Sequence, residues 1–162
     1  MRKLFYANGR HWAFYITNDE IYYRSSTDGI SWSSRTYVCP LNILWGFDLW
    51  FDGTYLHYAN FDTYTTDWCI EYRRGIPESD GSITWSADAQ YAELGTDAYW
   101  GTITVARDGS VYISYDENLG GGYEYPTVTK NKKKDGTWET EAGWPKRLST
   151  TPSGWFVRVL PL

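Results

Sequence analysis

Apolar and polar residues alternate along much of this chain. The segments R-H-W-A-F-Y-I (10–16), T-Y-L-H-Y-A-N (54–60) and S-V-Y-I-S-Y-D (110–116) show it most clearly. A period of two is the signature of a strand with one buried face. Each segment follows a turn signal, Asn8-Gly9, Asp52-Gly53 or Asp108-Gly109, whose residues tolerate the positive φ of tight hairpins. The pattern predicts inner strands at about 2–8, 45–51 and 100–107, and second strands at 11–17, 54–60 and 110–116. Third strands are expected at 20–25, 67–74 and 123–130, and outer strands starting at Trp32, Trp85 and Trp138. No segment sustains a helical period.

The same markers recur at constant spacing. Trp32, Trp85 and Trp138 lie 53 residues apart, each closing a stretch rich in Asp, Gly and Ser or Thr. Trp45, Trp100 and Trp155 lie 55 apart and open W-G-F-D-L-W-F, W-G-T-I-T-V-A and W-F-V-R-V-L. Four-stranded units of this length in tandem predict an all-β β-propeller, because each blade must bury its faces against its neighbours. The expected organisation is one module over 1–162, with three four-stranded antiparallel blades at about 1–44, 45–99 and 100–154. A surplus C-terminal inner strand follows at 155–160.

Composition narrows the function classes. The 162 residues are 42% hydrophobic and 22% charged, which argues for a folded chain. No apolar run approaches the roughly 18 residues of a membrane-spanning helix, so no membrane is expected as a partner. Fifteen basic against twenty acidic residues leave a charge of −5, without the basic footprint that phosphate neutralisation needs, so no nucleic acid is expected either. Aromatics reach 19%, a bias toward half-buried pleated surfaces. No export signal is readable at the start, no Asn-x-Ser/Thr acceptor occurs, and the compartment stays open. Cys39 and Cys69 could form one bridge at most, and a chain of this length can stabilise a core without it.

Residues 26–32, S-T-D-G-I-S-W, and 79–85, S-D-G-S-I-T-W, resemble the Asp box of the bacterial neuraminidase repeats in sialidase-like propellers, and K-K-D-G-T-W at 133–138 is a shorter copy. The pattern is imperfect: the first copy is one residue short, and the second has Ser82 where glycine is usual. The resemblance implies a structural role for Asp28, Gly29 and Trp32, for Asp80, Gly81 and Trp85, and for Asp135, Gly136 and Trp138. Each Asp accepts turn amides, each Gly admits positive φ and each Trp anchors the core. It also implies an extracellular or surface setting.

The resemblance further raises sialidase-type hydrolysis, which needs three arginines around one carboxylate with a Tyr–Glu pair and an acidic Asp. Only Arg158 falls in an inner-strand core, where the other repeats have Asp48 and Ile103. Arg73 and Arg74 are adjacent on a strand and point to opposite faces. No catalytic set emerges. His11 and His57 have no ligand spacing around them, so neither a metal nor any other cofactor is expected. Gly120-Gly121-Gly122 precedes no helix, and the run at Lys130, Lys132, Lys133 and Lys134 reads as a solvated hairpin edge.

In a propeller the loops joining second to third and outer to inner strands share one end. Here that end collects 61–66, 117–122, 39–44, 93–99 and 144–154, with Asp62, Tyr64, Asp97, Tyr99, Asn118, Trp144 and Arg147. Aromatic planes beside short polar groups suit sugar rings. The sequence therefore reads first as a non-enzymatic glycan-binding module, with an interaction scaffold as the alternative and a hydrolase third. Three blades cannot close a ring, so self-association is expected, most simply a dimer forming a six-bladed ring.

Overall fold

A computed structural model describes residues 2–40, 46–62, 69–94, 97–120 and 122–152. The described residues are all strand, turn and coil, with no helix. Strands β1 (Arg2–Ala7), β2 (Arg10–Thr17), β3 (Glu20–Ser26) and β4 (Thr36–Pro40) form one antiparallel sheet in chain order. The second sheet runs β5 (Phe47–Phe51), β6 (Leu56–Asp62), β7 (Cys69–Pro77) and β8 (Ile83–Trp85), with β9 (Gln90–Leu94) also pairing β7. The third runs β10 (Asp97–Val105), β11 (Val111–Asn118), β12 (Glu124–Lys130) and the two-residue β13 (Lys146–Arg147). The expected surplus strand at 155–160, with Trp155 and Arg158, lies outside the described residues, as does Trp45.

The first three strands of each sheet follow the alternation, and their hairpins sit on the turn signals. Asn8 takes φ 49° and Gly9 φ 76°, and Gly53 and Gly109 are likewise positive. The outer strands do not start at the tryptophans. After β3, Ser33 donates its amide to the Ser25 carbonyl (2.9 Å), while the Ser33 hydroxyl accepts the Ser25 amide (3.0 Å). A side chain thus takes the place of a ladder carbonyl, and pairing resumes only at Thr36. Strand β8 ends at Trp85, and the outer edge of the second sheet is completed by β9, across a register shift at Ile70/Glu71. In the third repeat the buried Asn131 side chain accepts the Lys133 and Glu139 amides (2.9 and 3.0 Å) and donates to the Thr137 carbonyl (2.8 Å), which holds the segment before Trp138 as turns. Local side-chain bonds of this kind compete with the ladder.

The three sheets stack face to face. Trp12, Phe14, Ile21 and Tyr23 of the first pack on Phe47, Leu56 and Tyr58 of the second. On the other side of the second sheet, Ala59, Phe61, Ile70 and Tyr72 pack on Ile103, Val111, Ile113 and Tyr115 of the third. A side chain at Gly101 would place its Cβ 2.0 Å from the Phe61 ring, so this close approach requires glycine. Trp100 beside it adopts φ 50°, at a bulge between Tyr99 and Thr102. Cys39 and Cys69 are thiols rather than a bridge, and Cys39 Sγ lies 3.0 Å from the Tyr58 hydroxyl.

Two devices repeat at the two junctions. Trp85 joins the core between first and second sheets, and Trp138 packs edge-on against Tyr72 (5.1 Å between ring centres) between second and third. Each anchors its sheet to the preceding one. In parallel, Arg10 Nε of the first sheet donates to the Ser79 carbonyl (2.6 Å), and Arg74 Nη1 of the second donates to the Lys134 carbonyl (2.7 Å), so an arginine holds the next sheet's Asp-Gly turn.

The inner strands are joined by one carboxylate. Asp48 on β5 accepts from Lys3 Nζ of β1 (2.7 Å), from its neighbour Leu49 N (2.8 Å) and from Ile103 N of β10 (3.1 Å). Its side chain is only 8% exposed, whereas Lys3 is 40% exposed. Removing a buried acceptor leaves the partner donors unpaired. Asp48→Ala is expected to cost about 2 kcal/mol of unfolding free energy, read as a lower urea midpoint with an unchanged slope. Asp48→Asn, which keeps one acceptor oxygen, should cost less.

Candidate functional site

Each Asp-Gly turn is organised by its own carboxylate. Asp28 Oδ1 accepts the Ile30 and Ser31 amides (2.8 and 2.7 Å), Asp80 Oδ1 the Ser82 amide (2.8 Å) and Asp135 Oδ1 the Thr137 amide (3.0 Å). Gly29, Gly81 and Gly136 all have positive φ. The Ser31 and Ile30 amides hold the Asp28 carboxyl well below the usual range, and the Ser82 and Thr137 hydroxyls and amides lower those of Asp80 and Asp135. These carboxylates are exposed and committed to their own turns. The lysine run is likewise engaged: Lys132 and Lys133 pair with Glu139, Lys130 with Glu141, and Lys134 Nζ donates to the Asp108 carbonyl.

At the same end, His57 is buried between Asp52 and Tyr72. Its Nε2 lies 3.0 Å from Asp52 Oδ2 and its Nδ1 3.0 Å from the Tyr72 hydroxyl. Burial opposes ionisation of Asp52, but the Tyr55 and Thr54 amides and His57 outweigh it and leave the carboxyl below its usual value. Burial lowers the His57 pKa despite Asp52. A groove of about 550 Å³ opens beside this relay, between Trp50, Asp52 and Tyr55 on one side and Val105 to Gly109 on the other.

The face expected to bind lies at the opposite end of the sheets. Tyr64 lies outside the described residues. Asp97 pairs with Asn118 across β10 and β11. Tyr99 is buried, 9% exposed, and its hydroxyl accepts from Asn118 Nδ2 (3.4 Å), while Asn118 Oδ1 caps the Gly120 amide (2.8 Å). Arg147 Nε and Nη2 donate to the two oxygens of Glu117 (2.6 and 3.2 Å), and the guanidinium sits 5.6 Å from the Tyr125 ring centre. Asp97, Tyr99, Asn118 and Arg147 therefore lie at one end of the third sheet, with Tyr99 and Asn118 on one face and Arg147 and Glu117 on the other. Trp144 does not join them. It packs on Tyr112 (5.8 Å), six residues along β11 from Asn118 and so about 20 Å away.

Behind Arg147 runs a polar seam between the second and third sheets that the sequence reading missed. Glu117 also accepts the Thr127 hydroxyl (3.1 Å). Glu93 Oε1, the Tyr115 hydroxyl and the Thr129 hydroxyl are shielded from solvent and have no hydrogen-bond partner among the described residues. Thr129 lies near enough to favour the ionised form of Glu93 without closing a bond of normal geometry, yet burial, with Glu117 adding to it, raises the Glu93 pKa. Burial and then the charges of Glu93 and Glu117 raise Tyr115. On the other face, Glu124 Oε2 is shielded and unpartnered among the described residues, and burial and then Asp116 raise its pKa. The available signal was the pair Asp116-Glu117 closing a strand, whose alternation places the two acids on opposite faces.

No protein-family model matches the chain, and no curated protein matches it. Among solved structures it is similar to GH43B of the Bacteroides ovatus xyloglucan PUL, with TM-score 0.52 and 17% identity over 89% of this chain and 29% of that one. It is also similar to an endo-arabinase from Bacteroides thetaiotaomicron, with TM-score 0.51 and 14% identity over 92% of this chain and 61% of that one. The chain thus spans less than two thirds of either relative. The likeness is one of fold: an all-β, propeller-related architecture shared with glycoside hydrolases, not one particular to Asp-box repeats.

Two outcomes test these electrostatics. The folded pKa of His57 lies below its unfolded value near 6.5, so the unfolded chain takes up a proton first and stability is lost as pH falls below about 6.5. The melting temperature is expected to drop between pH 7.5 and 5.5, with a smaller drop in His57→Gln. The carboxylates held low at the turns titrate near pH 4 and below, outside that window. Conversely, the folded pKa of Glu93 is raised, so its ionisation opposes folding above pH 4.5 and the opposition fades as pH falls. Glu93→Gln should raise the melting temperature at pH 7 and lose that advantage near pH 4.

Proposed function

We propose that the chain is a non-enzymatic carbohydrate-binding propeller module whose ligand contacts lie at the Arg147 end of the third sheet. The observation that carries this reading is the Arg147 fork, fixed by Glu117 and set against the Tyr125 ring, on the face opposite Asn118 and Glu124. A guanidinium donor, an aromatic plane and the Glu117 carboxylate on one face supply the stacking and directional hydrogen bonds that a sugar ring requires. Exposed Tyr123 adds a second ring to the same hairpin. The Asp-box resemblance and the likeness to glycoside hydrolases support a glycan ligand.

The best-placed carboxylates are committed elsewhere. Asp48 is held by the three inner strands and Glu117 by Arg147 and Thr127. This favours binding over hydrolysis, which stands as the third reading; an interaction scaffold stands as the second. One neighbour is an endo-arabinase and the other belongs to a xyloglucan PUL, so arabinan and xyloglucan oligosaccharides are the first probes, with sialosides beside them. Calorimetry is expected to detect binding that weakens at least tenfold in Tyr125→Ala, with a melting temperature near that of the parent, and in Arg147→Gln, which also lowers the melting temperature because it leaves the Glu117 carboxylate without its cation. Trp50→Ala, in the groove at the other end, should leave binding unchanged. If Trp50→Ala alone abolishes binding, the site is misplaced; turnover of a fluorogenic arabinoside, xyloside or sialoside would overturn the non-enzymatic reading, and no binding to any glycan would favour the scaffold.

A further inference from the structure

The front face of the first sheet is built like a blade junction, and among the described residues no sheet packs on it. Each later sheet turns the corresponding face toward its predecessor: Leu56 and Tyr58 are buried against the first sheet, Val111, Ile113 and Tyr115 against the second. On the first sheet, the front carries the row Leu4–Ala13–Arg24 and, two positions along, the row Tyr15–Tyr22–Tyr37. The tyrosines form a ladder, with ring centres 6.3 Å apart for Tyr15 and Tyr22 and 5.9 Å for Tyr22 and Tyr37. Leu4 is 70% exposed, Tyr6 59% and Tyr37 51%, while Tyr22 at the centre of the ladder is buried beneath the Arg35 guanidinium, 4.5 Å from its ring centre.

The junction devices agree. Trp85 and Trp138 fill the gap to the preceding sheet, whereas Trp32 lines an open groove of about 410 Å³ with Leu4, Ala13, Tyr15 and Arg24. Arg10 and Arg74 hold the turns at Asp80 and Asp135. Among the described residues no arginine from another sheet holds the Asp28 turn. An apolar face of this size, rimmed by polar groups, is the kind that marks an interaction surface.

We infer that a second copy of this chain covers this face, front to front, about a two-fold axis. A head-to-tail ring would need the rear of the third sheet to receive the same front, and there Thr104, Ser114, Asp116 and Val128 are all buried. One kind of open face gives self-complementary pairing, and two-fold symmetry is the arrangement that closes it. Four strands about 4.8 Å apart and about seven residues long present roughly 450 Å² in projection, or about 900 Å² for both copies. That falls below the roughly 1,200 Å² of standard specific interfaces, in the range of weak, transient association, so the dimer is concentration-dependent.

Sedimentation equilibrium from about 1 to 100 μM, a range suited to a small interface, tests this on the full chain. The mass is expected to rise from 18.8 kDa toward twice that value. Leu4→Glu alters an exposed side chain and should hold the mass at 18.8 kDa with an unchanged melting temperature. Lys130→Glu, on the rear of the third sheet, should dimerise like the parent. A parent chain that stays monomeric at the highest concentration would overturn the inference and leave the face to a preceding sheet of a longer chain. A dimer indifferent to both Leu4→Glu and Tyr6→Glu would place the contact elsewhere, and loss of the dimer in Lys130→Glu would replace the face-to-face pairing by a ring. Dimerisation and glycan binding use different sheets, so Arg147→Gln should leave the dimer intact.

Discussion

The stacking of the sheets depends on how their inner edges are satisfied. An inner strand is an edge strand, with backbone donors facing its neighbours rather than a partner in its own ladder. Asp48 resolves this for all three inner strands at once. It draws the Lys3 ammonium from one side and the Ile103 amide from the other, and it accepts its own neighbour's amide. A buried carboxylate with three donors is far less costly than one without, and its loss would leave an amide and an ammonium unpaired. The inner edge is thus the least interchangeable part of the repeat: the equivalent position holds Asp in the second repeat and Ile in the third, so one acid serves both junctions.

From that edge outward, hydrophobic burial takes over. The aromatic excess becomes intelligible as packing between sheets, where stacked and edge-on rings fill the gap. Gly101 shows how tight the fit is, since even a methyl group there would strike Phe61. The repeat is therefore a unit of packing rather than of local structure, and its Trp and Arg devices do their work on the adjacent unit.

This explains which parts of the fold were legible in the sequence. The hairpins at Asn8-Gly9, Asp52-Gly53 and Asp108-Gly109 and the carboxylate-bound turns at Asp28, Asp80 and Asp135 are local, set by residues within three positions of one another. The outer strands were not legible. Trp32, Trp85 and Trp138 mark a contact with another sheet, and nothing local requires strand pairing to begin there; Ser33 and Asn131 divert the backbone first. The site divides in the same way. Arg147 and Glu117 are separated by thirty residues and meet only because β13 joins β12 across from β11. Tyr99 was expected on a loop and is instead buried in a strand, since β10 begins at Asp97 rather than at Trp100.

The polar seam behind Arg147 gives the third sheet a different character from the other two. Its neighbours bury mostly carbon, whereas this sheet buries Glu117, Thr127, Thr129 and the Tyr115 hydroxyl close to Glu93. Such groups destabilise a core unless partners or water reach them. Glu117 has such partners in Arg147 and Thr127, while Glu93, Tyr115 and Thr129 have none among the described residues. The sequence keeps this imbalance at one end of the sheet and packs the rest with Ile103, Val105, Val111 and Ile113. Polar groups concentrated where a sheet meets its loops, on a scaffold whose other faces are apolar, are costly for folding and suited to recognition. That separation, more than any single residue, is why ligand contact is better sought at the Arg147 end than in the groove beside His57, where Asp52 is committed to the turn amides and to His57.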